Sequence, residues 1–196
     1  MKDILEALQA LKGQQIEPNM IRQALESVQL KNINLKEYIK EFKNGTEPNR
    51  NTLLKDPVEV FLMQWPPQFF YPIHQHSNFW GFVVPLRGLL SETLYGYAPN
   101  KRKVFIHPTK TFREGEIIYE PYKVIHKLQN TSPIETLITL HVYYPAVYDF
   151  NGTCIFDAKN RRLAILNEKA EALSWNLPED RYERIEENAY DLEKLW

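Results

Sequence analysis

The chain has 196 residues, 43% of them hydrophobic, and its 24 basic residues nearly balance 25 acidic ones. This length can bury one substantial core, and a formal charge of -1 gives no net field to attract nucleic acid or an anionic membrane. The apolar runs are shorter than the roughly 20 residues of a membrane span, and the first residues lack a signal-peptide core. We therefore expect a cytoplasmic single-domain protein, a monomer or weak homodimer, whose partner is a small molecule.

Residues 1–44 are predicted to form a helical segment that covers the rest of the protein. Apolar residues recur at helical spacing before Gly13, and Pro18 opens a second stretch with the same pattern. Asn34 is predicted to cap a third helix that ends at Gly45, with Glu37 completing a capping box.

Residues 51–157 are predicted to form a β-barrel core. Short β-branched and aromatic runs such as VEVFLMQW and TLITLHVYY alternate there with Pro, Gly and Asn, which is typical of a compact all-β barrel or sandwich. Residues 158–196 are predicted to be a C-terminal helical extension interrupted at Pro178. The single cysteine, Cys154, cannot form an internal disulfide, and we expect it to be a small core residue.

Two histidines two residues apart suggest a metal site. In a strand, His74 and His76 point to the same side, so both imidazoles can reach one ion. Imidazole binds zinc, copper, iron and nickel, so this pair alone does not identify the metal.

The surrounding residues resemble the cupin superfamily. Its first motif, HxH followed by a glycine, is met by His74, His76 and Gly88. Its second motif has the form G-x5-P-x-G-x2-H-x3-N, and this chain matches it at Gly115, Pro121, His126 and Asn130, with Lys123 in place of the second glycine. The resemblance implies a mainly β fold, the cupin double-stranded β-helix, with His126 as the third metal ligand.

The cupin pattern usually includes a glutamate ligand shortly after HxH, where this chain has Phe79, Trp80 and Gly81. Three neutral imidazoles leave the full charge of the metal and open coordination positions. Such a site favours a ligand that brings its own anion, such as a thiolate, and that shares the metal with dioxygen.

A later strand resembles cysteine dioxygenase. Thr139, His141 and Tyr143 alternate and therefore share one face, where the family has Ser-x-His-x-Tyr. The resemblance implies that Tyr143 acts beside the metal-bound thiolate and that His141, oriented by Thr139, directs the tyrosine hydroxyl. It also implies Fe(II) as cofactor, with a small thiol and O2 as substrates, L-cysteine being the first candidate and 3-mercaptopropionate close behind.

Other family positions are less well matched. Arg50 is the candidate for binding the substrate carboxylate, but an alignment on Leu53 and Leu54 puts Asn51 at that position. Gly81 stands beside the predicted substrate site, where mammalian members carry a cysteine that crosslinks to the tyrosine, so this chain cannot form the crosslink. Trp65 also matches the family, and we interpret it as a packing residue.

Two other functions fit the same residues. Three histidines around zinc describe hydratase and isomerase sites, and a cupin can also bind a small molecule without catalysis. Metal content and a requirement for oxygen would separate these alternatives. His107 matches no family position, and its following proline predicts the end of a strand at the surface.

Overall fold

The computed structural model describes residues 1–39, 47–146 and 149–195. Two α-helices precede the strands, namely α1 (Lys2–Gln9) and α2 (Pro18–Glu26), and short 3-10 turns occupy Leu30–Asn32, Pro99–Lys101 and Glu179–Arg181. The strands are β1 (Asn49–Leu54), β2 (Glu59–Trp65), β3 (Ile73–Gln75), β4 (Trp80–Arg87), β5 (Leu90–Ala98), β6 (Lys103–Ile106), β7 (Lys110–Phe112), β8 (Ile118–Glu120), β9 (Ile125–Asn130), β10 (Leu137–Tyr144), β11 (Cys154–Asp157), β12 (Arg162–Leu166), β13 (Tyr182–Glu186) and β14 (Asp191–Lys194).

The strands form two sheets between which the chain repeatedly crosses. One sheet has the order β1-β2-β10-β4-β8, and the other has β13-β12-β11-β3-β9-β5-β6-β14, with β7 paired to β5. From β2 to β11 the chain alternates between the sheets, and only β6 and β7 interrupt this alternation as an excursion from β5. This winding is that of a double-stranded β-helix, so the predicted cupin fold is confirmed.

The central strands of the first sheet, β2, β4 and β10, are buried on both faces along nearly their whole length. One side of β2 carries Val60 and Leu62, which belong to the same apolar cluster as Ile4 and Leu8 of α1. Because successive strand residues face opposite ways, Phe61 and its alternate neighbours point into the barrel instead. Burial of Ile4 and Leu8 stabilises this arrangement by about 1.5–3 kcal/mol for each side chain. The N-terminal helices thus cover the barrel, as expected.

The prediction of a third N-terminal helix is wrong in its described part. Asn34 accepts a hydrogen bond from the backbone N of Lys36 at 3.1 Å, and residues 36–38 form a turn instead of a helix. An Asn side chain that bonds its own backbone two residues later stabilises a turn as well as it caps a helix. Residues 40–45 of the predicted helix lie outside the described residues.

The prediction of C-terminal helices for 158–196 is also wrong. That segment contains strands β12, β13 and β14, because each finds a partner that the local pattern does not reveal. β12 forms a hairpin with β11, β13 adds antiparallel to β12, and β14 lies parallel to the distant β6. Among the described residues, no helix has the length and apolar character that a membrane span requires.

Candidate metal centre and its hydrogen-bond chain

Three buried histidines converge at the centre of the barrel. His74 and His126 are register partners on β3 and β9, and His76 follows directly after β3. The Nε2 atom of His126 lies 3.3 Å from Nε2 of His74 and 3.1 Å from Nε2 of His76. The structure therefore brings together the three predicted ligands.

The outer nitrogens of two of these rings have acceptor partners. Nδ1 of His74 lies 2.9 Å from the carbonyl oxygen of Pro72, and Nδ1 of His126 lies 2.9 Å from a carboxylate oxygen of Glu92. Since a carbonyl or a carboxylate only accepts, each Nδ1 carries a proton, and in the neutral form of each ring the Nε2 lone pair points inward. Two lone pairs facing each other at 3.3 Å repel unless a cation lies between them, so the residues fit a bound metal ion.

Burial keeps two of the three imidazoles neutral. It lowers the pKa of His74 to about 3, with a further contribution from the neighbouring His126, and it holds the pKa of His76 well below its usual value. Burial also opposes a charge on His126, but Glu120 and Glu92 outweigh this effect and raise the pKa of His126. Neutral imidazole is the form that binds a metal.

Two buried carboxylates near the histidines were missed by the sequence analysis. Glu92 on β5 holds the ring of His126, and Glu120 on β8 is fully buried beside it. The Glu120 oxygens lie 3.6 Å from Nδ1 of His126 and 3.8 Å from Nε2 of His76. Burial raises the pKa of Glu120 to about 7. Strand alternation gave one usable signal, because Glu120 shares the inward side of β8 with Ile118.

A chain of hydrogen bonds runs along β10 toward this carboxylate. Nε1 of Trp65 donates to Oγ1 of Thr139 at 2.7 Å, and the same Oγ1 lies 2.7 Å from Nε2 of His141. Nδ1 of His141 lies 3.1 Å from the hydroxyl of Tyr143, which donates to Glu120 at 2.8 Å. Thr139, His141 and Tyr143 thus lie together on one face of β10, as the alternating pattern predicted. Trp65, which we expected only to pack in the core, also donates a hydrogen bond to Thr139.

Gly81 makes the last of these contacts sterically feasible. In the sheet, Gly81 on β4 is the register partner of Tyr143 on one side and of Glu120 on the other. A Cβ atom at position 81 would lie 2.1 Å from Cδ1 of Tyr143. The tyrosine ring therefore passes over the glycine to reach a carboxylate two strands away.

A cavity of about 170 Å³ opens on His74 and His76. Most of its lining is aromatic or aliphatic, including residues 172–173 of the C-terminal segment, while the polar lining comes from His74, His76, His141, Tyr143, Glu171 and Arg50. The Arg50 guanidinium lies 3.9 Å from the Phe61 ring centroid, and its Nη2 lies 2.6 Å from Glu59. Arg50 therefore lies on the cavity wall. The family alignment put Asn51 at this position, but in a strand the neighbouring residue points to the opposite side.

Other predicted positions have structural roles. Asn130 donates through Nδ2 to the carbonyl oxygens of Trp65, Pro66 and Glu135. Lys123, which replaces the usual glycine, has a φ of +63°.

Two further expectations concern residues away from the histidines. Cys154 is half-buried against an apolar cluster, and burial raises the pKa of its thiol, as suits a packing role. His107 is exposed just after β6, which confirms its expected place at the end of a strand.

Similar proteins place the chain in a family. The sequence profile of cysteine dioxygenase type I matches residues 3–157. Cysteine dioxygenase type 1 of Rattus norvegicus is 28% identical over 88 residues, and that of Homo sapiens is 27% identical over 88 residues. Each match covers 44% of this chain and 44% of the relative, so the chain spans less than half the length of these curated relatives.

Among solved structures, a Klebsiella pneumoniae protein with a double-stranded β-helix domain matches with a TM-score of 0.47 and 17% identity. That match covers 63% of this chain and 88% of the other. The family profile covers well over half of the residues and includes the three histidines, the β10 side chains and Arg50. On that match, the chain belongs to the cysteine dioxygenase type I family.

Proposed function

We propose that the protein is an Fe(II)-dependent thiol dioxygenase that converts a small thiol, L-cysteine as first candidate, to its sulfinate. Both atoms of O2 are added to the thiol sulfur, so RSH and O2 give RSO2H with no other oxidant or reductant. The observation that carries this proposal is the convergence of three imidazole nitrogens, two of them on rings that line a cavity, with Tyr143 and Arg50 lining the same cavity.

His74, His76 and His126 would hold the ion through Nε2. When bound, Fe(II) supplies a cationic centre that favours the ionised form of a coordinating thiol and exchanges electrons with dioxygen. The chain itself contributes orientation, since the Pro72 carbonyl and Glu92 fix two of the rings. The three proposed ligands are imidazoles, which bind as uncharged groups. A thiolate could therefore bind the metal without repulsion from a carboxylate ligand of the protein.

Arg50 would bind the carboxylate of the substrate. Its guanidinium is held against the Phe61 ring and paired with Glu59, which leaves other N–H groups available on a planar fork suited to a carboxylate. A thiol without a carboxylate would lose this contact. We therefore expect Arg50→Ala to weaken the binding of L-cysteine much more than that of an uncharged thiol of the same size.

The lining of the cavity would exclude water from the reaction. Phe79 packs on His76 with ring centroids 4.3 Å apart, and Leu128 and Met63 line the same space. Apolar walls strengthen electrostatic contacts between the few polar groups and the substrate.

The test is oxygen consumption by anaerobically iron-loaded protein across a panel of small thiols. We expect one thiol to give oxygen uptake with an equal amount of its sulfinate, and the activity to be lost in His126→Ala and in zinc-loaded protein. His107→Ala is the matched control because His107 is an exposed histidine away from the cavity. Full iron occupancy without uptake for any thiol would contradict the proposal and favour a binding protein or a zinc enzyme.

A further inference from the structure

Arg50 and Glu59 form an ion pair beside the cavity. Nη2 of Arg50 lies 2.6 Å from a carboxylate oxygen of Glu59, and the side chain of Glu59 is only 11% exposed. A carboxylate that is shielded from water acts on neighbouring charges more strongly than one on the surface. The charge of Glu59 therefore affects any charged ligand that binds to Arg50.

The sheet register places both side chains on the inner face of the barrel. Glu59 and Phe61 alternate along β2, so they share the side on which Phe61 lines the cavity. The backbone partner of Arg50 is Met63, which lies further along β2. The Arg50 side chain therefore runs back along the strand and across the Phe61 ring to reach Glu59.

Negative side chains outnumber positive ones around the ion pair. In the described lining of the cavity, Arg50 is the one lysine or arginine, and the exposed Glu171 is the one carboxylate. Glu59 is not part of that lining, and its charge acts on the cavity across the guanidinium of Arg50. A ligand that carries only a carboxylate gains the contact with Arg50 but is repelled by two glutamates.

We propose that Glu59 is a specificity-determining residue that makes the cavity select zwitterionic thiols over thiols that carry only a carboxylate. This inference rests on the proposed function, because it takes the substrate carboxylate to bind Arg50. In L-cysteine the ammonium is on the carbon next to the carboxylate, so the pair of Arg50 and Glu59 meets two opposite charges. 3-Mercaptopropionate lacks the ammonium, which leaves the repulsion between its carboxylate and Glu59 uncompensated.

The test is the binding of L-cysteine and 3-mercaptopropionate to anaerobic Fe(II)-loaded protein, measured by isothermal titration calorimetry. Neither thiol turns over without oxygen, so the measurement reports affinity alone. In Glu59→Gln we expect the preference for L-cysteine, given as the ratio of the two Kd values, to fall about 3–10-fold. The ratio is the decisive quantity, because a poorly positioned Arg50 would weaken the binding of both carboxylates alike.

Asp157→Asn is the matched control. Asp157 is also a strand carboxylate that pairs with an arginine, at 2.7 Å from Nη2 of Arg162, and its side chain is 16% exposed, but it does not line the cavity. This variant should keep the wild-type ratio, and Glu59→Asp, which retains the charge, should keep most of the preference. An unchanged ratio in Glu59→Gln, or a wild-type protein that binds neither thiol, would overturn the proposal.

Arg50→Ala serves if Glu59→Gln does not fold, since the Arg50 side chain is 42% exposed and β1 stands at the end of its sheet. Both thiols lose the guanidinium contact, but only 3-mercaptopropionate then meets Glu59 without a compensating charge. We expect the preference for L-cysteine to rise about 3–10-fold, and an unchanged or smaller preference would count against Glu59.

The two proposals fail in different ways. Selective binding that depends on Glu59, without oxygen uptake for any thiol, would contradict the proposed function alone. Oxygen uptake with an unchanged binding ratio in Glu59→Gln would contradict the role of Glu59 alone.

Discussion

At the scale of single residues, the sequence identifies groups with short local patterns better than groups that meet across the barrel. His74, His76 and the three polar residues of β10 follow from alternation, because a strand turns every second side chain to one side. Glu92 and Glu120 could not be assigned in this way. Each is one carboxylate in its own strand, and its importance depends on the neighbouring strand that the fold places beside it.

Replacement of Lys123 by glycine should stabilise the protein. A lysine at a φ of +63° is strained, whereas glycine adopts this conformation freely. We expect Lys123→Gly to stabilise the protein by about 0.5–1 kcal/mol, which raises Tm by roughly 1–4 °C, measured by thermal unfolding. Lys123→Ala is the control, since alanine lacks the side chain but keeps the strain. An equal gain with alanine would show that backbone conformation is not the reason.

Glu92 should control metal affinity. Glu92→Gln replaces a charged acceptor on Nδ1 of His126 with a neutral one, which weakens the ring as a ligand. We expect the affinity for Zn(II) or Fe(II) to fall about 10–100-fold in competition with a chelator. The exposed Glu135, changed to glutamine, is the control and should have no effect.

At the scale of elements, the strands of the core were predictable and the C-terminal segment was not. Runs such as VEVFLMQW contain β-branched and aromatic residues whose strand preference agrees with their burial on both faces. The runs LAIL and RIEE fit a helix equally well in isolation. Their strand conformation is decided by partners far along the chain, and β14 pairs with β6 across more than eighty residues. A local pattern contains no information about such a partner.

The hairpin of β11 and β12 should show a defined pH dependence. Burial opposes the charge of Asp157, but hydrogen bonds from Arg162 and Asn160 outweigh it and lower the pKa of Asp157 to about 2 from its ordinary 3.8. A lowered pKa contributes stability above the unfolded value, and this contribution is lost as the pH falls from about 4 to about 2. Asp157→Asn should therefore reduce the free energy of unfolding by about 1 kcal/mol at neutral pH.

Denaturant unfolding at several pH values checks this expectation. The difference between wild type and Asp157→Asn should shrink as the pH falls from about 4, and it should disappear only below about pH 2, where Asp157 is protonated in the folded protein as well. Replacement of the exposed Glu183 by glutamine provides the comparison. A difference that stayed constant across this range would show that packing, and not the charge of Asp157, stabilises the hairpin.

At the scale of the whole molecule, the cavity is lined both by the barrel strands and by the segment after β12. Barrel strands supply the histidines and the β10 side chains, while the segment after β12 supplies Ala172 and Leu173 to the wall. The histidines of the cavity are therefore held by sheet pairing, whereas Ala172 and Leu173 are held by a connection between strands.

Leu173 should influence which thiol is preferred. Leu173→Ala removes a half-buried side chain from the cavity wall, and we expect kcat/KM for L-cysteine to fall several-fold relative to that for a bulkier thiol. The metal affinity should stay the same, because Leu173 lies outside the histidine cluster. Leu177→Ala, also in the C-terminal segment but outside the cavity lining, is the matched control. Equal changes for both thiols would exclude a role in selectivity.

The position of β8 links local opening to the state of the site. β8 has three residues and lies at the edge of its sheet, where the described residues provide no partner strand on one side, so it is among the segments expected to open without unfolding of the barrel. Each opening would withdraw Glu120 from Tyr143 while the β10 side chains stay in place on a central strand. Hydrogen exchange at the amides of residues 118–120 would therefore measure how often the hydrogen bond between Tyr143 and Glu120 is broken.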